Sequence, residues 1–416
     1  MKFDTVIIGG GLSGLTAAIE LASQRRRTAV VTAGQSSLHF CSGSFELLGT
    51  DGAGKAVDAP FEAMSSLPPS HPYSRLGGAA GVAPLLERVG PMFEEAGIAV
   101  TGSATKNHWR LSPVGVFKPA WLTLDEMVSL SDLSAMPWRK VAIVNIKGYL
   151  DFFPRFLAVA LEKRGVRVAM EAVTVKALAD QRVSSTELRA ANIARLLTDD
   201  VVDALAREVN AVVGDAEAVL FPAVAGFENA SAAERLRSAV GRPLQFVSTL
   251  GLSVPGIRYW RNSMTRRLQQ LGASVLHGDR VSRGFFTGDR LDAVETVNLG
   301  ADRLEADNFI LASGSFFSHG LTALSDGVSE PVFGLDVEAA GRRADWFDKD
   351  LFRPQPFMKF GVATDAGFRA LRGGRPVENM RVAGAILSGA DSVAEGCGAG
   401  VALATAMAAA NAILKD

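Results

Sequence analysis

Phe3-Asp4-Thr5-Val6-Ile7-Ile8-Gly9-Gly10-Gly11-Leu12-Ser13-Gly14-Leu15 is an apolar run that flows directly into Gly-x-Gly-x-x-Gly. The pattern predicts a strand, a tight turn and a helix, in the order that the phosphates of a dinucleotide require. Gly9 permits the turn, Gly11 lets backbone approach a pyrophosphate, and Gly14 lets helix and strand pack closely. The helix start, with Leu12 and Ser13, turns unbonded N–H groups and the positive end of its dipole toward that site. A second strand, Thr28 to Thr32, follows at the expected distance, so residues 2–33 read as one strand–helix–strand unit ending at Thr32.

One part of the pattern is missing. An acidic residue about 20 residues on, at the end of the second strand, normally holds the ribose hydroxyls. Here Thr32-Ala33-Gly34-Gln35-Ser36 carries no carboxylate, and none appears until Glu46. The pyrophosphate half of the pattern is intact and the adenosine half is not.

The chain has 416 residues, long for one core, so a nucleotide domain with an inserted second lobe is expected. A formal charge of −1 gives no reason to expect nucleic acid as a partner. Cys41 and Cys397 are the only cysteines, which excludes a disulfide framework or an iron–sulfur cluster held by this chain alone. No metal site is expected, because the histidines show no ligand-like spacing. We expect a cytosolic protein, since the first strand leaves no room for a signal peptide. No charge occurs between Glu395 and Lys415, but that stretch is Ala- and Gly-rich and suits a helix packed tightly inside the protein better than one in lipid.

The expected fold class is α/β, a Rossmann-like FAD/NAD(P)-binding flavoprotein fold with an inserted α+β substrate or lid lobe. Residues 1–60, 140–185 and 250–416 are assigned to the flavin-binding domain, and 61–139 with 186–249 to the inserted lobe. Two later apolar runs end in turns: Phe309 to Leu311 before Ala312-Ser313-Gly314, and Met380 to Leu387 before Gly389-Ala390-Asp391. The second continues through Glu395-Gly396-Cys397-Gly398 into the Ala-rich helix, making another anion-facing helix start. Ala312, Ser313, Gly314, Gly389, Asp391, Gly396 and Gly398 are therefore candidate cofactor contacts, and two such ends point to a flavin.

The loop after the second strand should lie at the carboxyl edge of the sheet, where ligands sit. Ser42, Gly43 and Ser44 are candidate cofactor contacts there. His39 is a candidate general base, because imidazole titrates near working pH; its alternative role is ordering the loop. Arg258 and Arg261, three apart on a basic helix predicted over Ile257 to Leu271, could hold a substrate phosphate, although a solvated surface explains them as well.

Several segments resemble one family, the B subunits of anaerobic glycerol-3-phosphate dehydrogenase. They are the opening stretch, Gly34-Gln35-Ser36 with Leu38-His39-Phe40 and Ser42-Gly43-Ser44, Pro255-Gly256-Ile257-Arg258, Phe333-Gly334-Leu335-Asp336-Val337, and Ala394-Glu395-Gly396-Cys397-Gly398. The resemblance implies oxidation of sn-glycerol 3-phosphate to dihydroxyacetone phosphate, with electrons passing to a quinone during anaerobic growth. It implies a catalytic dimer of glycerol-3-phosphate dehydrogenase A and B subunits, docked on the inner face of the cell membrane through an iron–sulfur C subunit. FMN is the cofactor it implies for the B subunit, with FAD as the alternative. Two other readings stay open: a flavin-bearing relay or scaffold subunit without chemistry of its own, and an unrelated FAD-dependent dehydrogenase.

Overall fold

The computed structural model describes residues 1–34, 36–181 and 188–416, without the side chains of Trp260, Arg261 and Asn262. The chain forms two compact units. One comprises Met1–Ser37, Glu46–Ile98 and Ser263–Asp416; the other comprises Leu38–Phe45 and Ala99–Asn262.

The first unit is built on an eight-stranded sheet. Its strands are β1 (Lys2–Ile8), β2 (Thr28–Thr32), β3 (Ser274–His277), β4 (Val281–Thr287), β5 (Arg290–Thr296), β6 (Leu304–Leu311), β7 (Arg369–Arg372) and β8 (Arg375–Val382). The order β3-β2-β1-β6 is parallel throughout. The chain leaves β1 toward β2 on one side and reaches β6 on the other, so the order reverses between β1 and β6. Ligands of doubly wound sheets bind at the carboxyl ends of such a pair. β6 is shared lengthwise: Leu304 and Glu305 pair antiparallel with β5, whereas Phe309 to Leu311 pair parallel with β8.

Two helices matter for the site, α1 (Leu12–Ser23) and α2 (Gly398–Lys415). α1 is buried on every side from Leu12 to Ala22, its polar residues Ser13, Thr16 and Glu20 included. α2 packs against it, and the many Ala side chains of α2 let the two backbones approach. By length and composition α2 could cross a membrane, but 61% of it is buried inside the protein, as its composition predicts. A core of Val6, Ile8, Ala29, Val31, Phe309, Leu311, Met380 and Val382 lies beneath the sheet.

The second unit holds a four-stranded parallel sheet, in the order Arg167–Val173, Lys140–Ile146, Ala218–Pro222, Leu244–Val247. Helix Pro154–Glu162 crosses between the first two strands, and helix Asp199–Val212 packs on Arg167–Val173. This division differs from the expected one. Of residues 140–185, assigned from sequence to the nucleotide domain, Lys140–Ile146 and Arg167–Val173 pair here instead, and 61–98 belong to the first unit. A buried run such as Lys140-Val141-Ala142-Ile143-Val144 shows that it is a strand but not which sheet receives it. The expected helix over Ile257 to Leu271 is three pieces: Val254–Ile257, a π-helical stretch Arg258–Met264, and Thr265–Gln270.

Candidate functional site

The chain turns out of β1 at Gly9, whose φ is +119°. A Cβ on Gly9 would stand 2.1 Å from the Ala312 carbonyl oxygen and 3.0 Å from Ser313 N. Glycine is thus required both for the backbone angle and for the approach of the β6 turn. A Cβ on Gly14 would lie 1.9 Å from the Gly9 carbonyl oxygen, so α1 rests directly on the turn. Gly11 differs: a Cβ there would meet nothing outside its own segment nearer than Ser36 Cβ, 3.9 Å away. That open space is the cradle a phosphate would fill.

Gly11 is also the N-cap of α1, with no side-chain cap and no acidic residue in the first turn. The first N–H groups of α1 are left for an anion. Thr32, at the end of β2, lies beside Gly10, and Ser13 faces Gly384, where an added Cβ would meet Ser13 Oγ at 2.4 Å. The Ser313 hydroxyl is buried and has no hydrogen-bond partner among the described residues. Gly9, Gly11, Leu12, Ser13, Gly14, Thr32, Ala312, Ser313 and Gly314 therefore gather at one sheet edge in the first unit.

No carboxylate follows β2 among the described residues; Gln35 lies outside them. The neighbouring strand β3 is followed by Asp279, which is buried, but its oxygens are occupied. Oδ2 accepts from the Thr296 hydroxyl at 2.6 Å, and Oδ1 accepts from the Asn298 and Arg280 amides at 3.0 and 2.8 Å. It does not replace the missing ribose partner.

The second glycine turn leads into α2, whose N-cap Cys397 gives no side-chain cap and whose first turn has no acidic residue. Gly389, Gly396 and Gly398 lie on this turn. Asp391 acts within it: Oδ1 accepts from the Val393 and Ala394 amides at 3.1 and 2.9 Å. Two helix starts without side-chain caps, an open glycine position and an orphaned buried hydroxyl in one unit fit a flavin nucleotide.

The turn is held by residues that the site reading of the sequence passed over. His71, buried, contacts Glu395 through Nε2 at 3.2 Å. Glu395 also pairs with Lys359 at 3.2 Å. Burial pushes the Glu395 carboxyl up, but the His71 hydrogen bond and the Lys359 charge outweigh it and hold the group below the usual carboxylate range. Burial first, then Glu395, pushes the Cys397 thiol well above its ordinary value. No local signal marks His71 as a partner of Glu395, because residues so far apart in sequence share no periodicity.

His39, Ser42, Gly43 and Ser44 belong to the second unit rather than to the sheet edge of the first. Ser44–Phe45 is a short strand paired with Leu122–Leu124. The Ser44 hydroxyl accepts from Thr123 Oγ1 at 2.9 Å, and Thr123 Oγ1 lies 2.6 Å from His108 Nε2. Burial pulls the His108 pKa down. His39 is buried and its carbonyl accepts from the Ser253 amide at 2.7 Å. Arg258 is largely buried and paired with Glu126, with its side chain against Gly226. The side chain of Arg261 lies outside the described residues. Neither cysteine forms a disulfide.

This architecture defines an FAD-binding flavoprotein of the oxidoreductase class: residues 4–401 match the family described as FAD binding domain. A protein of Yersinia enterocolitica named as the B subunit of anaerobic glycerol-3-phosphate dehydrogenase is 42% identical over 100% of this chain and 99% of its own length. Its namesake in Pectobacterium carotovorum is 40% identical over the same shares. The chain belongs to the family of anaerobic glycerol-3-phosphate dehydrogenase B subunits. Among solved structures, a 3-ketosteroid delta1-dehydrogenase from Sterolibacterium denitrificans covers 100% of the chain and 99% of its own, at 11% identity and a TM-score of 0.44.

Proposed function

We propose that this chain is part of an anaerobic glycerol-3-phosphate dehydrogenase that oxidises sn-glycerol 3-phosphate to dihydroxyacetone phosphate. The observation that carries this reading is end-to-end similarity to proteins named as the B subunit of that enzyme, at 42% identity over the whole chain. FAD is the flavin we assign, in preference to FMN, because the matching family over residues 4–401 is an FAD-binding domain. Bound flavin supplies a two-electron acceptor for the hydride that leaves C2 of the alcohol.

The chain's own residues then have defined tasks. Amides at the starts of α1 and α2 hold the anionic parts of the cofactor, and Gly11 lets backbone reach a phosphate. Ser313 Oγ offers a hydrogen bond to the cofactor. His39 is our candidate to accept the proton of the C2 hydroxyl. In the assembly we propose, an A subunit completes the catalytic dimer, and an iron–sulfur C subunit passes the electrons to a quinone. The complex sits at the cytoplasmic face of the membrane.

One observation favours a second reading, in which this chain relays electrons for the A subunit without binding substrate. Arg258, a candidate for the substrate phosphate, is already committed to Glu126. Anaerobic addition of glycerol 3-phosphate to the purified, flavin-loaded chain separates the two. Bleaching of the visible flavin band supports direct oxidation, and His39→Asn should then slow it about 100-fold or more. Bleaching only after the A subunit is added supports the relay. Mass spectrometry of the extracted cofactor tests FAD against FMN.

A further inference from the structure

His71, Glu395 and Cys397 are buried, with one ligand-type atom each within 4.8 Å of the others. The set looks at first like a metal site, but its hydrogen bonds argue otherwise. His71 Nδ1 accepts the Tyr73 amide at 3.1 Å, so the ring proton sits on Nε2 and points at Glu395 Oε2, 3.2 Å away. A metal at Nε2 would move that proton to Nδ1, against the Tyr73 N–H.

Instead, one carboxylate collects donors from separate segments. Glu395 Oε2 receives His71, the Asp391 amide at 3.0 Å and the Cys397 thiol at 3.6 Å. Oε1 receives the Lys359 ammonium at 3.2 Å. The backbone around it is tied as firmly. The Gly49 and Thr50 amides donate to the Glu395 carbonyl at 3.0 Å, and the Gly400 amide donates to the Glu46 carbonyl at 2.9 Å. Tyr73 Oη donates to the Leu47 carbonyl at 2.7 Å.

We propose that Glu395 is a positioning residue for the flavin: latched by His71 and Lys359, it holds the Asp391–Gly398 turn so that the Gly398 and Ala399 amides at the start of α2 face the cofactor. This rests on the reading that the flavin lies against the start of α2, a segment inside the matched FAD binding domain. Glu395 itself touches no cofactor in this account; it acts through the turn.

The test compares cofactor affinity and the bound-flavin spectrum in Glu395→Ala, Glu395→Gln and Lys359→Met, with FAD and FMN each titrated into apoprotein. Lys359→Met is on the half-exposed side and should leave folding intact. Expected is a rise in dissociation constant of about ten-fold or more for Glu395→Ala, partial recovery in Glu395→Gln, and about three-fold for Lys359→Met. The vibronic structure of the visible band should blur in the same order. Ile143→Ala, in the other unit, is the control for general destabilisation. The proposal is overturned if affinity in all three variants equals wild type, or if the control weakens FAD as much at the same loss of apoprotein melting temperature. Tight binding of FMN but not FAD by wild type would overturn only the FAD assignment, because the variants are then read with FMN. Binding of neither would overturn both.

Discussion

At the scale of single residues, the site depends on contacts too close for a side chain. Gly14→Ala would put a methyl group 1.9 Å from the Gly9 carbonyl oxygen, and neither backbone can yield without opening the turn. Flavin affinity should fall about ten-fold or more, equal to about 1.4 kcal/mol or more, measured as flavin retained after gel filtration. Glu395 makes a pH prediction. Its folded-state pKa is depressed, so its stabilisation is complete above the unfolded carboxylate range and is lost as pH falls through the folded value. The groups facing it are His71, Lys359, Cys397 and Asp391. Glu395→Gln should lower the melting temperature at neutral pH, and the difference from wild type should vanish in acid. A thermal scan that shows the same deficit at every pH would refute this. Cys397, buried with its thiol pKa raised, should resist iodoacetamide in the native protein, while the half-buried Cys41 reacts first by peptide mapping.

At the scale of elements, what was legible in the sequence was what is local. Ile7-Ile8-Gly9 through Leu15 carries its strand, turn and helix within one short window, and the structure has each of them. The Ala-rich stretch before Lys415 declared a tightly packed helix by its side-chain size. The loop Leu38–Phe45 was not legible. Its position after β2 suggested the sheet edge, but Ser44 and Phe45 pair with Leu122 and Thr123, a choice made by long-range partners. Arg258 was misleading for a related reason: its spacing from Arg261 suggested a solvated or phosphate-facing surface, whereas Glu126 comes from a distant segment to neutralise it. Arg258→Ala leaves Glu126 largely buried and unpaired, which should cost about 3 kcal/mol in urea unfolding. Removing both charges, Arg258→Ala with Glu126→Ala, should recover part of that loss.

For the whole molecule, two units with separate cores have different relations to the cofactor. The glycine turns and both helix starts lie in the first unit, so bound FAD should stabilise that unit. At a hundred-fold excess over the dissociation constant the gain is about 2.7 kcal/mol. Calorimetry should show FAD raising the transition of the first unit, while Gly14→Ala at the same FAD concentration shows about half that gain in stability or less. A rise of equal size in the variant would mean that the cofactor is held elsewhere. The long-range division itself could not be read from local patterns, because Lys140–Ile146 and β1 are the same kind of apolar run and differ only in the partners they find.

The cradle also sets an order of events during synthesis. Gly9 to Gly14 leave the ribosome long before their partners, yet Ser13 meets Gly384 and α1 packs on α2, more than 350 residues further along. A nascent chain can form β1, the turn and α1 early, but it has no second wall until the residues from 384 onward emerge. Cofactor loading must therefore follow synthesis of α2, and a ribosome that stops short of α2 releases a protein with half a flavin site.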